Sequence, residues 1–358
     1  MSRNIYITIA LTLIVVVGTL AYWEWGVRLL APAAFPLLRT DPEVGTIHVK
    51  NYDDMAWSAR SQKYTHIRTN SLGYIGDEII EQKPPHTIRI AVVGDSVVEG
   101  LEVNTDDTFP ALFERMLSEN KICGEIAFEV MNFGVSGTGT FLQYQALKKN
   151  ILPLKPDYIF MVFHNDYEDN LAKSQYDLEN FANERRSVGL KSFLLQFELP
   201  KFLFSKVQTN ATVRAALRYA GLLEGSPIVH QETLTDADMP ADSPIYQYTF
   251  QIIRRFDDLV RKNDATLILI PYPQDPNSLD TGAWHADLHF TYLADFARGA
   301  KITLWDPSPY LAAQRSKGIP FTNGTDNHLT EPGHKALAEF LFEKASREIV
   351  HDLGCRAR

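Results

Sequence analysis

Arg89-Ile-Ala-Val-Val-Gly-Asp-Ser-Val-Val-Glu-Gly100 joins a run of branched apolar residues to an abrupt polar stop. The run from Ile88 to Val93 reads as a buried strand of a parallel sheet. In open parallel sheets, ligands bind at the carboxyl ends of the strands. Ser96 therefore stands where such folds do their chemistry. Outward from this point the chain alternates strands and helices. Strands are predicted at Thr87–Val93, Ile126–Asn132, Asp157–Phe163, Thr266–Ile270 and Ile302–Trp305, and helices at Phe109–Ser118, Leu142–Asn150 and Tyr246–Lys262. Ile245, Ile252, Ile253, Phe256, Leu259 and Val260 place an apolar stripe on the last of these. Thr330-Glu-Pro-Gly is a cap-and-proline start for a final helix over about 333–350. This alternation predicts a three-layer α/β/α fold on a parallel sheet.

The chain has 358 residues, 45% of them apolar and 22% charged, a globular balance. Its formal net charge of -9 argues against nucleic acid as a partner, because a nucleic-acid binder needs a basic footprint. The first residues differ from the rest. No charge interrupts Ile5 to Tyr22, and Trp23 and Trp25 follow. About 18 apolar residues just span a hydrocarbon core of roughly 30 Å. The tryptophans fit its interface. The expectation is a transmembrane anchor over residues 1–26, a membrane-proximal segment over 27–86, and a domain over 87–358 that lies outside the cytoplasm. A cleaved signal peptide is the rival reading, although its apolar stretch is shorter, at roughly 7–15 residues. Cys123 and Cys355 are either one disulfide or two thiols.

The gap between the third and fourth strands is too long for one crossover, so residues from about 170 to 240 form an insertion. Its middle, Lys191 to Lys206, interleaves apolar residues with lysine. That pattern fits either a lid or lipid-facing surface, or a helical hairpin packed on the core.

Four polar blocks fall at strand ends or nearby loops: Gly94-Asp95-Ser96, Asn132-Phe-Gly-Val-Ser-Gly137, Phe163-His-Asn-Asp166, and Thr325-Asp-Asn-His-Leu-Thr-Glu-Pro-Gly-His334. A serine hydroxyl becomes a nucleophile when a base takes its proton. A carboxylate must then orient that base. The oxyanion needs preorganised N–H donors. On this logic Ser96 attacks, His328 is the base and Asp326 orients it. The oxyanion hole would be the backbone N–H groups of Ser96 and Gly134 and the side-chain amide of Asn165. Asp95 is read as a turn-forming hydrogen bonder, His334 as a helix N-terminal residue, and His164 as packing or lining the cleft. His285-Ala-Asp-Leu-His289 has metal-binding spacing but lacks the glutamate of a zinc protease. No metal or organic cofactor is expected.

In order and spacing, these blocks resemble the SGNH/GDSL hydrolases over roughly residues 87–350. The resemblance implies a flavodoxin-like five-stranded sheet and ester hydrolysis or acyl transfer. Phe163 stands where the family usually has glycine, and Thr325 where it usually has aspartate. Asp326, two residues before His328, gives an Asp-x-His block similar to that of exported proteins that acetylate alginate and related exopolysaccharides. The expected substrate is therefore a small acyl ester, such as O-acetyl on an envelope carbohydrate. Two other readings stay open: a lipase or lysophospholipase acting on lipid, and a non-catalytic subunit of an envelope protein complex.

Overall fold

The computed structural model describes residues 3–30, 37–41, 43–58, 61, 63–164, 167, 240–272, 288–322 and 328–354. The chain divides into two units, and the first is described only through its N-terminal helix, α1 (Arg3–Leu30), and Leu37. Within it, Tyr6–Gly26 is a 21-residue stretch of mean hydropathy 2.0 with none of its most apolar window buried. At 1.5 Å per residue this stretch is about 31 Å long, the thickness of a hydrocarbon core. Among the described residues, one helix is thus apolar enough to cross a membrane.

The second unit is built on β5 (Thr87–Gly94), β6 (Ala127–Gly134), β7 (Tyr158–Phe163), β8 (Thr266–Pro271) and β9 (Thr303–Leu304). Two antiparallel hairpins precede them, β1 (Leu38–Asp41) with β2 (Gly45–His48), and β3 (Asp53–Ser58) with β4 (Lys63–Arg68). The five later strands form one sheet in the order β6-β5-β7-β8-β9, parallel throughout. Among the described residues its helices are α2 (Ser96–Glu99), α3 (Phe109–Glu119), α4 (Thr140–Ala146), α5 (Pro244–Arg261), α6 (Leu288–Ala300), α7 (Ser308–Arg315) and α8 (Glu331–Asp352).

Alternate strand residues feed two separate cores. Ile90, Val92, Phe160 and Val162 pack with Phe113 and Leu117 of α3 and Leu337 and Leu341 of α8. Ala91, Val93, Ile159 and Met161 pack on the other face with Ile253, Phe256 and Val260 of α5 and Leu293 of α6. Both faces are covered, which is why these strands read as continuous apolar runs rather than alternating ones. The fold is the three-layer α/β/α arrangement expected from the sequence. One helix departs from expectation: α4 stops at Ala146 and continues as a π-turn over Leu147–Ile151 before Pro153.

From β5 the chain crosses to β6 on one side and then to β7 on the other. This reversal opens a crevice beyond the carboxyl ends of β5 and β7, the usual ligand position in such sheets. The hairpins stand beside the same loops. Thr65 Oγ1 donates to the Leu101 carbonyl at 3.1 Å, and the Arg68 N–H donates to Thr105 Oγ1 at 2.8 Å. Arg68 also holds Asp77 and Asp106 at 2.8 and 2.6 Å.

Candidate active site

β5 ends at Gly94, and the chain turns directly into α2. Gly94 has no room for a side chain, since a Cβ there would lie 2.4 Å from Val98 Cγ2. Asp95 caps the helix, its Oδ1 accepting from the Val97 N–H at 2.9 Å. Ser96 is therefore the first helical residue, and its N–H has no acceptor within the helix. His328 arrives from far down the chain, just before α8. A bridge between Thr322 and Leu329, and the Thr330 N–H donating to the Phe321 carbonyl at 2.6 Å, fix the backbone beside it.

The structure brings Ser96 and His328 together. Oγ lies 2.6 Å from Nε2, and both residues are buried, at 8% and 7% exposure. With the hydroxyl donating, Nε2 accepts and the ring carries its proton on Nδ1. This is the pairing that a serine nucleophile requires.

Asp95 does a different job. Its Oδ2 accepts from His164 Nδ1 at 2.8 Å, across the crevice between β5 and β7. His164 in turn meets Tyr272 edge-on, at 5.7 Å between ring centres. Burial favours the neutral form of Asp95. The hydrogen bond and charge of His164, the Val97 N–H and nearby His328 outweigh it, so the carboxyl is held below the ordinary carboxylate range. An ionised Asp95 thus ties the turn before Ser96 to the end of β7.

Gly134 is also placed differently from the expectation. Its N–H donates to Asn132 Oδ1 at 2.8 Å, while Asn132 Nδ2 donates to the Val98 carbonyl at 2.9 Å. A Cβ on Gly134 would lie 2.2 Å from the backbone nitrogen of Glu99. The glycine is therefore demanded by close packing of β6 against α2, and its N–H is already engaged rather than aimed at an oxyanion. Asn165 and Asp326 lie outside the described residues, as do Thr325, the insertion, His285 and Cys355.

His334 is fully buried in the first turns of α8. Its Nδ1 accepts from the Phe109 N–H at 3.1 Å, and its ring stacks on Phe109. Burial, with a smaller contribution from His328, pushes its pKa down to about 3, so it stays neutral. His289 Nδ1 meets the Tyr246 hydroxyl at 2.7 Å. Among the described residues, no group of three or more His, Cys, Asp or Glu is arranged to hold a metal.

One polar cluster had no counterpart in the sequence reading. Glu99, three residues after the serine, is fully buried and pairs with His48 of β2 at 2.6 Å and with the Ser136 hydroxyl. The only hint in the sequence is a carboxylate placed in the apolar run Val97-Val98-Glu99-Gly100. Nothing marks His48 as its partner.

No family model matches this chain, and no curated protein matches it. Solved structures do overlap it. A lipolytic protein of the G-D-S-L family from Desulfitobacterium hafniense aligns over 71% of this chain and 98% of its own, at 14% identity and TM-score 0.39. The acetyl xylan esterase AlAXEase aligns over 72% and 99%, at 12% identity and TM-score 0.41. A catalytic mutant of the acetylxylan esterase Axe2 from Geobacillus stearothermophilus aligns over 74% and 96%, at 12% identity and TM-score 0.43. At such scores these likenesses carry no argument about chemistry, which rests on Ser96, His328 and their surroundings.

Proposed function

We propose that this chain is a serine-dependent carboxylic ester hydrolase of the SGNH type, working through an acyl-Ser96 intermediate. The observation that carries the reading is the 2.6 Å contact between Ser96 Oγ and His328 Nε2 at the carboxyl end of β5. His328 takes the hydroxyl proton as Oγ attacks the ester carbonyl. It then gives that proton to the leaving alcohol as the C–O bond breaks. Water, or a sugar hydroxyl, resolves the acyl-enzyme by the reverse sequence. Asp326 orients His328. The Ser96 N–H at the start of α2 and the Asn165 amide receive the oxyanion. Gly134 is not among the donors in this reading.

The substrate is a small acyl ester, O-acetyl on an envelope carbohydrate. Two features support this: the Asp-x-His block and a helix suited to hold the domain at a membrane. The catalytic unit works outside the cytoplasm. The test is ester hydrolysis by the full chain in detergent micelles, with p-nitrophenyl esters of increasing chain length. The parent hydrolyses the acetyl ester best. Ser96→Ala lowers that rate at least about 10³-fold. Equal activity in Ser96→Ala would overturn the nucleophile, and preference for long acyl chains would overturn the substrate class.

A further inference from the structure

Glu is almost never buried in full unless paired, because an unpartnered polar group in the interior keeps its whole desolvation penalty. Glu99, the last residue of the helix that carries Ser96, and His48, at the end of β2, are both at 0% exposure. Each polar atom of the pair has a partner from a different part of the chain. His48 Nδ1 donates to the Gly73 carbonyl at 3.0 Å. One proton lies between His48 Nε2 and Glu99 Oε1, which are 2.6 Å apart. The Ser136 hydroxyl donates to Glu99 Oε2. Whichever partner holds the shared proton, the pair is neutral overall and its hydrogen bonds are complete. That is the condition under which a buried polar network specifies one arrangement.

We infer that Glu99 is a positioning residue for the reaction, with His48 and Ser136 as its two hands. Its backbone belongs to α2 and touches Gly134. One carboxylate oxygen holds the β1–β2 hairpin, and the other holds the loop that leaves β6. The three parts surrounding Ser96 thereby move as one piece. This rests on the esterase reading above, in which the placement of Ser96 Oγ to within a fraction of an ångström sets the rate.

The geometry makes a specific demand on substitutions. In Glu99→Gln the amide nitrogen donates to a neutral His48 Nε2, and the amide oxygen accepts from Ser136. All contacts survive without the charge. In Glu99→Ala both partners lose their contact.

The experiment measures kcat per fluorophosphonate-titrated site and KM for p-nitrophenyl acetate, using the full chain in micelles. Glu99→Ala is expected to lower kcat per site about 30-fold or more with KM changed less than about threefold, and Glu99→Gln to restore kcat to within about threefold of the parent. A kcat per site unchanged in Glu99→Ala overturns the inference, since a merely structural role lowers the number of competent sites and not their turnover. A Glu99→Gln as slow as Glu99→Ala overturns it too. Ser136→Ala, which removes one contact at a half-buried position, keeps the test open if Glu99→Ala does not fold; its expected loss is about threefold to tenfold in kcat, and no loss counts against the inference. Amide hydrogen exchange separates this claim from the esterase reading. If the parent neither turns over nor labels, the esterase reading fails. The positioning claim then stands or falls on whether Glu99→Ala, or Ser136→Ala, speeds exchange in 96–100 and 134–137 together.

Discussion

Ser96 and His328 are 232 residues apart in the chain and 2.6 Å apart in space. Both were legible in the sequence, because a hydroxyl after a buried strand and a histidine beside a helix cap each carry a local signal. Gly134 shows where that legibility stops. Spacing marks a glycine at a strand end, but not where its N–H points. Here the amide of Asn132, two residues earlier, takes it. Gly134→Ala should therefore fail as a packing error: its Cβ would meet the Glu99 backbone, which has no flexible end to give way. The expected loss is about 3 kcal/mol of stability, read by chemical denaturation. A Gly134→Ala as stable as the parent would refute the close packing. Glu99 and His48, and the bond by which the cleft-lining His164 meets Asp95, were invisible for a related reason. Each acts through a partner brought near by the fold, and no residue type at a fixed spacing announces the contact.

At the scale of elements, the strand-turn-helix unit from Thr87 to Glu99 sets the nucleophile. The central strands β5, β7 and β8 were readable because burial on both faces makes them nearly continuous apolar runs. The two hairpins were not. β1 and β2 have four residues each, and Asp53, Asp54 and Met55 of β3 are exposed, so no apolar period marks them. The turn before α2 is held at one end by the Asp95 cap and at the other by His164. Asp95→Asn keeps an oxygen for the Val97 N–H but gives up the charge that His164 faces. Asp95→Ala gives up both. Turnover should fall in the order parent, Asn, Ala, and the alanine variant should lose about 1 kcal/mol of stability as well, the usual weight of a lost cap. Equal turnover in all three would show that the tie to β7 does not position Ser96.

At the scale of the whole molecule, buried His334 and partly buried Glu114 have opposite pH effects on stability. His334 is neutral in the fold, with its pKa down at about 3 from 6.5. The unfolded chain takes up that proton first as pH falls. The stability is complete above about 6.5 and drains as pH drops toward 3. Between pH 7.5 and 5 the loss is about 2 kcal/mol, and His334→Gln should remove most of that dependence. Glu114 of α3 runs the other way. It lines a cavity of about 220 Å³ beside edge strand β6, with its Oε2 accepting from the Val130 N–H at 3.0 Å. Burial, only partly offset by that bond, raises its pKa from 4.5 to about 7. Its contribution is present below 4.5 and lost as pH rises through 7, so Glu114→Gln should stabilise the protein at pH 8 by about 1–2 kcal/mol and do little at pH 4.5. Denaturation midpoints at the two ends of each range check both signs.

The central claim is that His328 makes Ser96 a nucleophile. Intact-mass measurement of the full chain after exposure to a fluorophosphonate tests it most directly. The account predicts a single adduct that maps to Ser96, vanishes in Ser96→Ala, and forms at least about 100-fold more slowly in His328→Ala. An adduct that persists in Ser96→Ala, or a folded parent that takes none, would contradict it.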